Sequence, residues 1–145
     1  MGFMSRQSDT AAVVGRIFIG VLFLLSGLGK LAAPGPTQGY IAAVGLPAPV
    51  LAYLVATAVE LIGGALLIAG FRVRAVAVGM AVFTLLTAVF FHRNFADQNQ
   101  MIHFLKNIAI TGGLLQVAAF GAGRFALDRR FGRPDAASGA EPSAA

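Results

Sequence analysis

The sequence predicts an all-α integral membrane protein: a bundle of four transmembrane helices with a short interfacial or re-entrant segment between the first two. Three observations lead there. Hydrophobic residues make up 57% of the chain and charged residues only 12%, about half the charged share of an ordinary soluble domain. The apolar residues fall in long blocks, each close to the ~20 residues that a helix needs to cross a bilayer. The basic residues gather at the ends of those blocks, where membrane proteins place topogenic charge. A chain of 145 residues is expected to form one domain.

The first block runs about 11–33. A basic residue precedes it and Ala32-Ala33 follows, as in a signal peptide, but Lys30 and Pro34 disfavour cleavage. Pro34-Gly35-Pro36 should break the helix. Thr37 can cap a short helical piece ending near Val44, with Gly45 left-handed and Pro47 beyond. Tyr40, Ile41 and Val44 share one side of that piece. It carries no charge and is too short to span, so it reads as interfacial, re-entrant or an ordered loop on the bundle.

The second block is about 50–71, and Arg72 and Arg74 mark the turn to the third, about 73–91. A polar connection, His92–Gln100, leads to the fourth, about 101–121. The expected organisation is an N-terminal segment 1–10, a four-helix domain 11–123 and a tail 124–145. The tail is basic at first and then of disordered composition. Arg6, Arg16, Arg72, Arg74, Arg124, Arg129, Arg130 and Arg133 lie at or toward one side. Only Lys30, Arg93 and Lys106 lie toward the other. The positive-inside rule then puts both termini in the cytoplasm of a bacterial inner membrane, with Lys30 and the His92–Gln100 connection outside.

Composition removes several functions. The chain has no cysteine, so disulfide exchange and thiolate metal sites cannot be its own, and no metal site is expected. The net charge of +5 is explained by topogenic and lipid contacts, so nucleic acid is not an expected partner. "SGLGK" at Ser26–Lys30 lacks the spacing of a phosphate loop and lies within an apolar block.

Glu60 is the residue that asks for a function. A central acidic residue costs about 2.5–3.5 kcal/mol on insertion. Helical spacing puts Tyr53, Ala56, Thr57, Glu60, Gly63, Gly64 and Leu67 on one stripe, whose small residues suit the bundle interior. Arg16, Gly20, Phe23, Gly27 and Lys30 form a stripe on the first span. Met80, Thr84, Thr87 and Phe91 form a weaker one on the third. Asn99, Gln100, His103, Lys106, Asn107 and Thr111 form the densest, on the fourth. Glu60 lies roughly 15 Å below the outer surface and Lys106 roughly 8–9 Å down. Glu60 is therefore expected to pair with Lys106, with Arg16 reaching from below as the second choice. Such a pair can do no more than fix helix register, or it can belong to a site. His92 reads as interfacial and His103 as a candidate lining residue. Haem is disfavoured: both histidines sit near one end, and no attachment signature is present.

Four segments, in order, resemble the DoxX family of small bacterial inner-membrane proteins. They are "RIFIGVLFLLSGLGKL" from Arg16, "AAVGLP" at Ala42–Pro47, "VELIGGALLIAGFRVR" at Val59–Arg74 and "GAGRFALD" at Gly121–Asp128. The resemblance covers about 16–128, with Arg16, Gly20, Gly27, Lys30, Glu60, Gly63, Arg74 and Asp128 at its motif positions. The segment "HRNFADQNQMIHFLKN" from His92 lies outside the broad motif. The resemblance implies a four-helix bundle. It also implies kinship with membrane subunits of thiosulfate:quinone oxidoreduction and with partners of redox enzymes in oxidative-stress complexes.

Three functions follow as expectations. The first is a redox-associated subunit that binds quinone or another small apolar molecule in a polar layer near the outer face. It would be part of a membrane oxidoreductase, not a complete enzyme. Its candidate ligand-binding residues are Arg16, Lys30, Tyr53, Glu60, His103, Lys106 and Asn107, with Glu60 as the candidate proton-exchanging group. The second is a non-catalytic anchor for a redox partner, and the third a small-molecule transporter. The lipid bilayer, a soluble or membrane redox enzyme and further copies of the chain are the expected partners.

Overall fold

The structure, a computed structural model, describes residues 2–123 and 126–128. The expected tail at 124–145, with Arg124, Arg129, Arg130 and Arg133, lies outside these apart from Ala126–Asp128. The elements are α1 (Gly2–Ala32), α2 (Pro34–Ala43), α3 (Pro49–Ala69), α4 (Val73–Phe91) and α5 (Gln98–Phe120). Four stretches are long and apolar enough to cross a membrane: Asp9–Ala32 of α1 and the whole of α3, α4 and α5.

Two boundaries differ from the sequence expectation. The tripeptide Pro34-Gly35-Pro36 does not separate elements. The break is at Ala33, and Pro34 opens α2, because the first turn of a helix needs no backbone N–H. Thr37 therefore caps nothing. It lies inside the helix, and its hydroxyl donates to the Ala33 carbonyl at 2.7 Å. The fourth span starts earlier than expected, at Gln98. Asp97 is its N-cap, accepting from the backbone N–H groups of Asn99 at 2.8 Å and Gln100 at 3.4 Å. That side chain satisfies donors which would otherwise be orphaned.

The helices pack as two intimate pairs, α1 with α3 and α4 with α5. The pairs join along α3–α4 and more sparsely along α1–α5, and α2 lies on α3. Gly20 and Gly64 make the first pair close. A Cβ at Gly20 would stand 2.8 Å from the Gly64 carbonyl oxygen, and one at Gly64 would stand 2.8 Å from the Gly20 carbonyl oxygen. With no hydrophobic drive between helices in lipid, such backbone approach is what holds them together. Phe23, Leu67, Val73, Ala77, Met80, Ala81 and Leu114 form the core. The stripe expected on the second span is the buried face of α3: Tyr53, Thr57, Glu60, Gly63, Gly64 and Leu67. The large apolar residues left exposed, such as Phe18, Ile62 and Leu105, are what lipid should meet.

One end of the bundle is fastened by polar groups. Arg16 is only 2% exposed, and its Nη1 donates to the Ala122 carbonyl at 3.1 Å. Gly70 ends α3 with φ 76°, and Arg72 begins α4 with φ 45°. Asp128 covers this turn. Its carboxylate accepts from the N–H groups of Arg72 and Val73, and its own N–H donates to the Gly70 carbonyl at 2.9 Å. A carboxylate at a helix N-terminus is favoured by hydrogen bonding and by the helix dipole.

A polar cavity at the Lys30 end

Glu60 is paired with Lys30. The ammonium Nζ lies 2.8 and 2.7 Å from the two carboxylate oxygens and donates a further bond to Ser26 Oγ at 2.9 Å. This corrects the expectation of Lys106, and of Arg16 as second choice. Side chains on a helix lean toward its N-terminus. α1 and α3 run in opposite directions, so Lys30 leans down into the bundle while Glu60 leans up toward it. Lys106 stands on α5, whose N-terminus is at the Lys30 end, so it leans toward the rim and away from Glu60. Arg16 leans away as well, toward Ala122. The Glu60 side chain is 7% exposed and that of Lys30 25%. The room for their contact comes from Gly27: a Cβ there would meet Glu60 Cβ at 3.3 Å and Leu61 Cδ2 at 2.8 Å.

The pair forms part of the wall of a cavity of about 590 Å³, within the range of small-molecule sites. All of α1–α5 contribute. The apolar part of the wall includes Leu22, Phe23, Ile41, Phe83, Phe91 and Ile110, and the polar part Lys30, Glu60, Thr84, His92, His103, Lys106 and Asn107. Five of the expected residues are thus brought together: Lys30, Glu60, His103, Lys106 and Asn107. Two are not among the lining residues. Tyr53 stands behind the wall, with its hydroxyl 3.3 Å from the Lys30 carbonyl. Arg16 belongs to the opposite end.

His92, read from the sequence as interfacial, also lines the cavity. Its ring stacks on His103 with centroids 5.1 Å apart, and its Nδ1 lies 2.8 Å from Gln100 Oε1. The Gln100–His103 spacing on one helix face was the available signal. Tyr40 of α2 closes part of the rim, donating to the Phe91 carbonyl at 3.2 Å with the two rings 5.4 Å apart. The threonine hydroxyls of Thr84 and Thr87 are taken up by carbonyls of their own helix, so they soften the wall more than they offer free donors. Among the described residues no cluster of three metal-ligating side chains occurs.

The arrangement can hold a molecule with an apolar body and oxygen acceptors. Lys106 makes no hydrogen bond or ion pair with any described residue, and nor does the side-chain amide of Asn107. Glu60 already has the Lys30 ammonium as donor on each of its oxygens.

Comparison with known proteins gives a consistent result. The family model described as DoxX matches residues 11–93. The inner membrane protein YqjF of Escherichia coli (strain K12) is 38% identical over 126 residues, 87% of this chain and 95% of that protein. The inner membrane protein YphA of the same organism is 35% identical over 123 residues, 81% and 88% of the two chains. No solved structure matches.

Proposed function

This chain belongs to the DoxX family, and on that premise we propose that it is an inner-membrane protein whose cavity at the Lys30 end binds a quinone or another small, largely apolar molecule, as the membrane subunit of a redox enzyme. The observation that carries this is the composition of the wall: an apolar slot with Lys106, Asn107 and His103 as donors. A quinone asks for that combination, since its ring and tail are apolar and its two oxygens accept hydrogen bonds. Glu60 is the group placed to exchange a proton with such an oxygen. The chain has no cysteine, so any thiol step belongs to a partner. The cytoplasmic placing of both termini rests on the arginines at the Arg16 end, and the inner-membrane location is supported by the names of the two relatives.

The test is the thermal unfolding of purified protein in neutral detergent with decylubiquinone. A ligand at 100 times its Kd adds about 2.7 kcal/mol. A saturable rise in the midpoint is expected with decylubiquinone and not with decylbenzene, which has no carbonyls. Equal midpoints with and without the quinone, up to its solubility limit, would contradict the quinone as ligand.

One observation favours a second reading. Both Glu60 oxygens are satisfied by Lys30, as in a pair that only fixes helix register. The chain would then be a non-catalytic anchor. Glu60→Gln would lower recovery of the complex with its partner but leave turnover per recovered complex unchanged.

A further inference from the structure

We infer that the cavity takes its ligand sideways from the bilayer, between α1 and α5, and that this ligand is a single-chain amphiphile whose anionic head is held at Lys106. The inference rests on the cavity being a binding site and names the class of molecule that it takes.

The opening follows from how the two helices diverge. They touch near the Arg16 end, where a Cβ on Gly113 would stand 3.2 Å from Ile19 Cδ1 and Arg16 reaches Ala122. Toward the Lys30 end they part. Leu22 and Ser26 of α1, and Lys106, Asn107 and Ile110 of α5, line the cavity. Leu22, Ser26 and Lys106 are also exposed. Lys106 is eight residues into α5, about 12 Å along the axis, and lies within a span apolar enough to cross the membrane. The gap therefore faces lipid.

The head is set by charge. Among the described residues Glu60 is the one carboxylate lining the cavity, and Lys30 neutralises it. That leaves the Lys106 ammonium as an uncompensated positive charge, with the Asn107 amide next to it on the chain. Neither has a partner among the described residues. A cation in a span is unfavourable until it is paired or reaches the interface. A carboxylate on an apolar chain supplies the missing charge and its acceptors. Its chain would lie against Leu22, Phe23, Phe83 and Ile110, which a small free anion would leave unused. Charge-assisted bonds should then make the anionic head bind better than a neutral one of the same length.

The experiment uses the full chain in neutral detergent, with cis-parinaric acid as a fluorescent carboxylate probe and parinaryl alcohol as its neutral twin. Saturable binding of the acid, at least tenfold tighter than of the alcohol, is expected. Lys106→Gln should bring the acid down to the level of the alcohol, and Lys106→Arg should keep the difference. Oleate should displace the probe, and acetate, a head without a chain, should not. Equal affinity of acid and alcohol on the wild-type protein overturns the inference without needing any variant to fold. So does displacement by dioleoylphosphatidylglycerol but not by oleate, which would make Lys106 a phospholipid headgroup contact. If decylubiquinone stabilises the protein while acid and alcohol bind equally, the anionic ligand is wrong and the cavity reading stands. If none of the three binds, both fail.

Discussion

Lys30 and Glu60 meet through both carboxylate oxygens at 2.8 and 2.7 Å. The contact joins α1 to α3 at the cavity wall. It exists because antiparallel helices lean their side chains toward each other on one side of a given level and apart on the other.

Breaking one side of this pair should be costly. Removing one partner of a buried ion pair typically costs 3–5 kcal/mol, and the partial exposure of Lys30 argues for the lower end. Lys30→Met is therefore expected to destabilise by about 3 kcal/mol, and Lys106→Met to have a far smaller effect. The exchange Lys30→Glu with Glu60→Lys should recover part of the loss, whereas Lys106→Glu with Glu60→Lys should not. Denaturant titration in mixed micelles reads all four.

The α1–α3 seam should reject any side chain. A methyl at Gly64 would meet the Gly20 carbonyl oxygen at 2.8 Å and Leu24 backbone nitrogen at 3.1 Å, so the backbones must separate. Gly64→Ala is expected to cost about 1–3 kcal/mol. Gly79 and Gly112 have nothing within 4 Å of such a methyl. Gly79→Ala and Gly112→Ala should be neutral, or stabilising by about 0.5–1 kcal/mol through helix propensity. The same titration separates the two classes.

Asp128 should act on a turn more than fifty residues before it. Asp128→Ala removes the cap from the N-H groups of Arg72 and Val73 and should cost about 1 kcal/mol. Limited trypsin digestion would show it as faster cleavage at Arg72 and Arg74, with the cavity end unaffected. Asp128→Asn should be milder, since an amide oxygen can still accept.

The absence of cysteine makes the orientation directly measurable. Ala96→Cys, in the connection between α4 and α5, should react with an impermeant maleimide on intact spheroplasts. Ala145→Cys should react only after the membrane is opened. The reverse pattern would place the termini outside.

Much of the fold was legible because lipid imposes simple rules. The third span, Val73–Phe91, was located by its apolar run and its flanking arginines alone, and the buried face of α3 followed from the spacing of Glu60, Gly63, Gly64 and Leu67. The partner of Glu60 was not legible from depth. Lys106 has a suitable height on its helix but the wrong lean, and lean depends on chain direction as well as on position. The cap by Asp128 was also hidden. Its target is a left-handed Arg72, a conformation that no residue preference announces, and the contact closes between segments far apart in sequence. A histidine at a helix end beside Arg93 reads as interfacial; its place in the cavity wall depends on α5 starting at Gln98, which brings Gln100 and His103 against the ring.

The most direct test of the central claim, that the cavity at the Lys30 end is a binding site, is native mass spectrometry of protein extracted gently from its own membrane. The account predicts a bound small molecule on the wild-type chain, lost when Ile110→Trp fills the slot. Folded wild-type protein carrying only phospholipid, in the same amounts as Ile110→Trp, would contradict it.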